Sequence, residues 1–290
     1  MVIFFFTPYE LFRLNYTQMA NSKKVLFITQ EITPYVPESE MSIVGRKLPQ
    51  AIQELGNEIR TFMPCWGIIN ARRNQLHEVI RLSGMNIVID DTDHPLVIKV
   101  ASIQAARMQV YFIDNDDFFY KRQMLCNVNG EECPDNIERA IFYARGVLET
   151  VKKLRWTPDV IHCQGWMGAI APMFIKKAFA DDAPFVNTKV VFDVYSENLS
   201  LPAPSNIKQC LSLRSVDEDF LDSLGLDFNH PNILNRIAAF FSDEIIVSNE
   251  EKHADLIAFA KEKGIPVTLR KESDDLGEIY NAAYNRLTVE

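Results

Sequence analysis

Three stretches of the chain carry side chains able to do chemistry. His162-Cys163 follows the apolar pair Val160-Ile161 and precedes Trp166. An imidazole at a strand end can serve as acid, base or ligand, and the carboxyl ends of parallel strands are where ligands sit. A core histidine bonded to backbone fits the same pattern, so both readings stay open. His162 and Cys163 are not a nucleophile pair, because neighbours in a strand point to opposite faces. Asp114-Asn115 also ends an apolar run. A carboxylate beside an amide suits sugar hydroxyls, and it equally suits a turn. Trp66, Trp156 and Trp166 offer faces for stacking on sugar, or bulk for a core. The third stretch, residues 29–46, lies between an apolar run and a helical pattern, the layout that cradles phosphates with backbone N–H groups. Its composition opposes that task. Between Glu31 and Arg46 the only glycine is Gly45, Pro37 has no N–H, and Glu38 and Glu40 repel phosphate.

The elements that must position these groups alternate. Val25-Leu26-Phe27-Ile28 reads as a strand buried on both faces. Met41, Val44 and Leu48 recur at helical spacing, Leu48-Pro49 closes that helix, and Gln50–Gly56 reads as a second one. Strands are expected near 24–30, 58–63, 108–113, 159–163, 189–195 and 244–248. Met85–Ile89 is a further strand, Asp90–Pro95 a turn cluster, and Leu96–Ile103 with Met108–Ile113 a hairpin. Asp135–Leu154 is a long helix with Asp135 as N-cap and Glu138 at the capping-box position. Trp166–Phe179, Asn232–Phe241, Asn249–Lys263 and Asp274–Leu287 read as helices, residues 197–230 as an insertion with one or two short helices, and Ile265–Leu269 as a last strand. The order implies one α/β domain, a doubly wound and mostly parallel sheet with one antiparallel excursion near residues 85–113.

Composition narrows the function classes. The 290 residues are 47% hydrophobic, enough for a sizeable core. Thirty Lys and Arg against 39 Asp and Glu give a net charge of −9, which argues against nucleic acid and anionic membranes as partners. Five cysteines, scattered and without a C-x-x-C pair, point to reduced thiols in a cytoplasm and to no structural zinc, metal or cofactor. The apolar start, Met1 to Phe6, is too short to span a bilayer and lacks the basic flank of a signal peptide. Met19 directly precedes the first strand, so residues 1–18 read as an extension and residues 19–290 as the domain.

Several motifs resemble the N-terminal domain of bacterial glycogen synthase and plant starch synthase, glycosyltransferase family 5, over about residues 23–255. Glu31-Ile32-Thr33-Pro34-Tyr35 is similar to the family's Glu-x-x-Pro-Tyr/Phe. Tyr111-Phe112-Ile113-Asp114-Asn115 matches Tyr-Phe-Ile-Asp-Asn. Phe119-Tyr120-Lys121-Arg122, Asn129-Gly130 and Asp135-Asn136-Ile137-Glu138-Arg139 follow the family's Phe-x-Arg, Asn-Gly and Asp-Asn-x-x-Arg series. Pro158-Asp159-Val160-Ile161-His162 and Ser242-Asp243-Glu244-Ile245-Ile246-Val247-Ser248 resemble two further family segments. The resemblance implies the N-terminal half of a GT-B fold. It carries substrate-binding positions onto Glu31, Tyr35, Asp114, Asn115, Asp135, Asn136, Arg139, His162 and Trp166.

The departures fall where the chemistry belongs. The family's Lys-Thr/Val-Gly-Gly-Leu-Ala-Asp-Val loop, which holds the nucleotide-sugar phosphates, is here residues 37–44. Pro37 stands for its lysine, Ser39 and Glu40 for its glycines, and Ile43 for its aspartate. In the His-x-Asn/His-Asp-Trp-His segment, Gly165 replaces the aspartate and Met167 the second histidine. Tyr195-Ser196 replaces His-Asn. The family continues into a second Rossmann-like domain where this sequence ends. The pattern implies a noncatalytic relative acting in α-glucan metabolism, with α-glucan or nucleotide sugar as weak ligand and no catalytic residue. A glucosyltransferase using ADP-glucose, completed by a partner chain, is the alternative. Pro34, Tyr35, Met41, Trp166, Met167 and Tyr195 are expected to form an open apolar face for a protein partner, a second copy or a sugar. Without charged neighbours, His162 is expected to bond backbone or a hydroxyl such as Ser248, or Asn115.

Overall fold

Val25 to Ile28 are fully buried, as a continuous apolar run requires, because strands flank β1 (Lys24–Ile28) on both sides. A computed structural model describes residues 22–289; the expected extension, residues 1–18, lies outside them. The remaining strands are β2 (Glu58–Pro64), β3 (His77–Glu78), β4 (Met85–Ile89), β5 (Thr92–Ile103), β6 (Met108–Asp114), β7 (Val160–Gln164), β8 (Lys189–Val194), β9 (Glu244–Val247) and β10 (Val267–Leu269). Their order is β10-β9-β8-β7-β1-β2-β6-β5-β3, with β4 also on β5. Every pairing from β10 to β6 is parallel, and β5 runs antiparallel to β6, β3 and β4. The doubly wound, mostly parallel sheet with its antiparallel excursion is therefore as expected. The chain builds outward from β1 in both directions, so the strand order reverses between β1 and β7, where open α/β sheets place their ligands.

Alternation along the strands separates two layers. Val25, Phe27, Val160, Val191 and Ile246 face the helices Glu40–Glu54 and Leu276–Thr288, which contribute Leu48, Ile52, Tyr280 and Tyr284. Leu26, Ile28, Ile161, Cys163 and Phe192 face the larger core beneath helices Asn136–Leu154 and Ile233–Phe240. His162 and Cys163 thus sit in different layers.

Four local expectations are corrected. Glu40–Glu54 is one helix with Pro49 inside it. The proline costs about 3 kcal/mol. Ending the helix at Leu48 would strip Ile52 from the core, and burying each such side chain contributes about 1.5–3 kcal/mol. With Val44 and Met41 on the same face, burial wins. Trp166–Phe179 is not one helix but short turns at Gly165–Gly168 and Ala171–Met173 followed by a wider π turn at Phe174–Ala178. Pro172 blocks the bond to Gly168, and the buried surroundings fix the path. Thr92–Pro95 belongs to β5 rather than to a turn. The pairing with β6 begins only at Val97, so Pro95 has no ladder bond to lose on that side. Asp135 stands at the N-cap position without accepting a capping bond, because its carboxylate is taken by Arg122.

Candidate functional site: the crevice between the first and seventh strands

Thr29-Gln30-Glu31 leaves β1 and Gly165-Trp166-Met167 leaves β7, so the two loops meet at the point where strand order reverses. Gln30 joins them. Its amide donates to Glu197 at 2.6 Å and to Glu31 at 3.2 Å, while its side-chain oxygen accepts from the Met167 N–H at 3.4 Å. The Trp166 indole N–H donates to the same Glu197 oxygen at 3.1 Å, and the Trp66 indole N–H to the Gln30 carbonyl at 2.8 Å. Two glycines permit this packing. Gly165 has φ +67°, and a Cβ on Gly45 would lie 2.1 Å from the Glu31 carbonyl oxygen. The helix therefore reaches the β1 loop only because residue 45 has no side chain.

The N-terminus of helix Glu40–Glu54 is capped by its own serines. Ser39 Oγ accepts from the Ser42 N–H at 3.0 Å, and Ser42 Oγ accepts from the Ser39 N–H at 2.8 Å. The Ser39 hydroxyl also donates to Glu31 at 2.5 Å. Glu31 is 3% exposed. Burial raises its carboxyl above the ordinary range, the Ser39 bond offsets part of the rise, and the Glu197 charge adds to it. Glu40 pairs with Arg270 at 2.6 Å. Where the family pattern places a lysine and two glycines, this chain has a self-capped helix end facing carboxylates.

Beneath the crevice lies a second buried polar group. Asp193 accepts from the Tyr280 hydroxyl at 2.6 Å and the Tyr195 hydroxyl at 3.0 Å. Gln164 donates to Tyr195 at 3.3 Å. His162 Nδ1 pairs with the Tyr284 hydroxyl at 3.0 Å, and its Nε2 lies 3.7 Å from Asp193. His162 does meet a hydroxyl, but of Tyr284 rather than Ser248, and not Asn115. It also has a carboxylate neighbour, contrary to expectation, because Asp193 projects from the adjacent strand β8.

The other predicted site residues are held by internal partners. Asp114 contacts Lys99, while Asn115 donates to the Pro95 carbonyl at 2.8 Å and accepts from the N–H groups of Asp117 and Phe118. Asp135 takes both arms of Arg122 at 2.6 Å. Asn136 donates to the Leu125 carbonyl at 2.9 Å. Arg139 is fully buried, bonded to Asn136 and to the carbonyls of Gln123 and Met124, with its guanidinium 4.8 Å over the Trp66 ring. Burial, with the nearby Arg122, lowers it to about 10. Tyr35 packs edge-on against Phe112, and burial pushes its hydroxyl up to about 12. Trp66 and Trp166 lie 6.3 Å apart, linking this bracket to the crevice. The structure thus brings Glu31, Ser39, Gly165, Trp166 and Met167 together, reaches Arg139 through Trp66, and holds Asp114, Asn115, Asp135 and Asn136 on partners of their own.

The expected open apolar face is not formed by the residues named for it. Tyr35, Met41, Trp166, Met167 and Tyr195 are all buried, and only Pro34 is exposed. Trp166 and Met167 are packed into the core, with Gln30, itself fully buried, and the half-buried Glu197 bonded to them. Exposed apolar side chains do occur on loops beyond β2, β6 and β8, with Tyr120 at 60% and Val128 at 80%, beside Ile68 and Leu201. Among the described residues, no group of three or more His, Cys, Asp or Glu is placed to hold a metal, and no helix is long and apolar enough to cross a membrane. Sequence reasoning missed Glu197, Asp193, Ser42, Tyr280 and Tyr284. Asp193 alone had a local signal, a charge inside an otherwise apolar strand.

A parallel sheet whose crevice opens at a strand-order reversal is the doubly wound, Rossmann-like type of α/β domain. The starch synthase catalytic domain family matches residues 24–270, and the chain belongs to that family. The glycogen synthase of Chlorobium limicola is 31% identical over 237 residues, covering 79% of this chain and 48% of that protein. The glycogen synthase of Chlorobaculum tepidum is 30% identical over 241 residues, covering 83% of this chain and 46% of that protein. This chain thus spans about half the length of the curated relatives it matches. Among solved structures, the catalytic domain of starch synthase IV from Arabidopsis thaliana bound to ADP and acarbose superposes with a TM-score of 0.64 at 17% identity, covering 86% of this chain and 52% of that one. The fold matches part of the GT-B glycosyltransferase fold of starch synthase, one doubly wound, mostly parallel sheet with its helices.

Proposed function

We propose that this chain is a glycogen and starch synthase relative that serves α-glucan metabolism in the cytoplasm as a binding or regulatory module and does not itself transfer glucose. The observation that supports the reading is the helix end at Ser39. A transferase must stabilise the charge of a departing nucleoside diphosphate. Here the Ser39–Ser42 capping box occupies N–H groups at the helix end, the Ser39 hydroxyl is bonded to the Glu31 carboxyl, and Glu40 is balanced by Arg270. A like charge held about 6 Å away at an effective dielectric of about 20 costs about 3 kcal/mol, the wrong sign for catalysis. Residues 37–44 contain no lysine or arginine, and Arg270, the cation paired with Glu40, is already committed.

Incorporation of labelled glucose from ADP-glucose into glycogen tests this. The purified chain is expected to match a buffer blank, and to show calorimetric heat with maltooligosaccharide but not with ADP-glucose. Incorporation clearly above the blank refutes the reading. Incorporation that appears only when a second chain is supplied favours the alternative, a glucosyltransferase completed by a partner.

A further inference from the structure

Between β6 and helix Asn136–Leu154 the chain makes a small hairpin over residues 125–133. Cys126 pairs with Glu132, and the Cys133 N–H donates to the Leu125 carbonyl at 3.0 Å. At the tip, Asn127 takes the hydrogen bonds of the turn. Its side-chain oxygen accepts from the N–H groups of Asn129 at 2.8 Å and Glu131 at 3.1 Å, its amide donates to the Glu131 carboxylate at 2.9 Å, and its carbonyl accepts from the Gly130 N–H at 3.0 Å. Asn129 and Gly130 are exposed, and the Asn129 amide has no partner among the described residues. Gly130 takes φ +82°, and a Cβ there would meet nothing within 4 Å. Glu132 fastens the hairpin to the loop that follows Glu197. It accepts from the Ser200 N–H at 2.7 Å, the Ser200 hydroxyl at 2.5 Å and the Leu201 N–H at 3.2 Å.

We propose that Asn129 is a self-modifying site, whose side chain closes on the Gly130 nitrogen and opens to isoaspartate, and that this change frees the loop at Ser200 and Leu201 from the hairpin. Asn129 is the one asparagine of the sequence followed by glycine. Any other residue at position 130 would put a side chain in the path of attack, and glycine puts none there. Hydroxide removes the Gly130 N–H proton, and the nitrogen attacks Asn129 Cγ. The new N–Cγ bond closes a succinimide ring, the Cγ–Nδ2 bond breaks, and the amine leaves as ammonia after taking a proton from water, which returns the hydroxide. Water then adds to the ring. Opening at the main-chain carbonyl frees a carboxylate there and routes the backbone through Cβ and Cγ; opening at Cγ gives ordinary aspartate. Nothing is oxidised or reduced. The Gly130 bond to the Asn127 carbonyl must open first, and at an exposed tip water takes its place. The isoaspartyl backbone is longer by one carbon, so the bonds between Asn127 and Glu131 lose their register. The new carboxylate also joins Glu131 and Glu132 on one short hairpin, and like charges separate. Glu132 is thereby drawn off Ser200 and Leu201.

Ageing the purified full chain in mildly alkaline buffer, with isoaspartate read by enzymatic methyl labelling and peptide mapping, tests the site. Label is expected first in the peptide that contains residues 129–130, and faster as pH rises. It is expected to be lost in Asn129→Gln, whose longer side chain closes an imide ring far more slowly. Asn129 is exposed and its side chain unbonded, so this variant keeps the fold; circular dichroism checks it. In the aged chain the amide hydrogens of Ser200 and Leu201 are expected to exchange several-fold faster than in fresh protein, with those of β1 unchanged. A folded chain that stays unlabelled while the same chain in urea is labelled overturns the proposal, because the turn then holds the Gly130 nitrogen. Label that enters another asparagine first, or that persists in Asn129→Gln, overturns it as well. Unchanged exchange at Ser200 and Leu201 after full conversion overturns the release of the loop.

Discussion

An aspartate at position 165, the residue of the family pattern, is expected to damage the fold, and the cost can be worked from the surroundings of Gly165. Its φ of +67° is a left-handed conformation, which costs a non-glycine residue about 1–2 kcal/mol. A Cβ would lie 2.7 Å from the Gln30 side-chain oxygen and 2.9 Å from Met41 Cε. The methionine end swings away at little cost. Gln30 cannot do so freely, because it is bonded to Glu197 at 2.6 Å, and giving up such a charge-assisted bond costs about 1.5–3 kcal/mol. Gly165→Ala should therefore lose about 3 kcal/mol, which for a domain of this size lowers the melting temperature by roughly 6–12 °C. Gly165→Asp tolerates the backbone better but adds a buried carboxylate beside Glu31 and Glu197, so it should melt no higher than the alanine variant. Thermal unfolding followed by circular dichroism measures both. An alanine variant melting within about 1 °C of wild type would show that the crevice is looser than described and that Gln30 is not a fixed strut.

Two further outcomes are expected. His162→Ala leaves the buried Tyr284 hydroxyl without its partner and should cost about 1–3 kcal/mol in urea unfolding, while any glucan affinity stays within a few-fold; unchanged stability with lost glucan binding would make His162 a ligand residue. Glu31 has a raised folded pKa, so its contribution to stability is present below its ordinary value of 4.5 and is lost as pH rises through the folded value. The stability of Glu31→Gln relative to wild type should accordingly rise between pH 4.5 and 7 in paired urea titrations, and a difference flat across that range contradicts the assigned environment.

The sheet was legible because its strands are buried on both faces and so read as apolar runs, as Val25–Ile28 and Lys189–Val194 do. Helix limits were harder to read. Pro49 looked like a stop, and only the tertiary burial of Ile52 overrides it. Trp166–Phe179 has helical periodicity, but its path is set by the core around it. The crevice was legible on the side of β1 and β7, where motif residues Glu31 and Trp166 sit close to strand ends. Glu197 was not, because it comes from an irregular loop whose approach to Gln30 depends on the packing of β8, 167 residues further along the chain. In sequence, Asp114, Asn115 and Asp135 look like groups offered to a ligand, whereas their lone pairs are spent on Lys99, local backbone and Arg122.

The tyrosine-bearing helix Leu276–Thr288 has a bearing on how the protein is made. It covers the layer of β1 that carries Val25 and Phe27, and Lys23 is bonded to Asn285 at a separation of 262 residues. On a ribosome, the first strand emerges long before the helix that shields one side of it. Its apolar face and the His162–Asp193 pair beside it must wait, wet or held by a chaperone, until residues 276–288 leave the exit tunnel. Contacts this distant in sequence close slowly, and the exposed interval is when such chains aggregate. Expression at low temperature, with slower synthesis and weaker apolar association, should therefore raise the soluble yield more than any substitution at the surface.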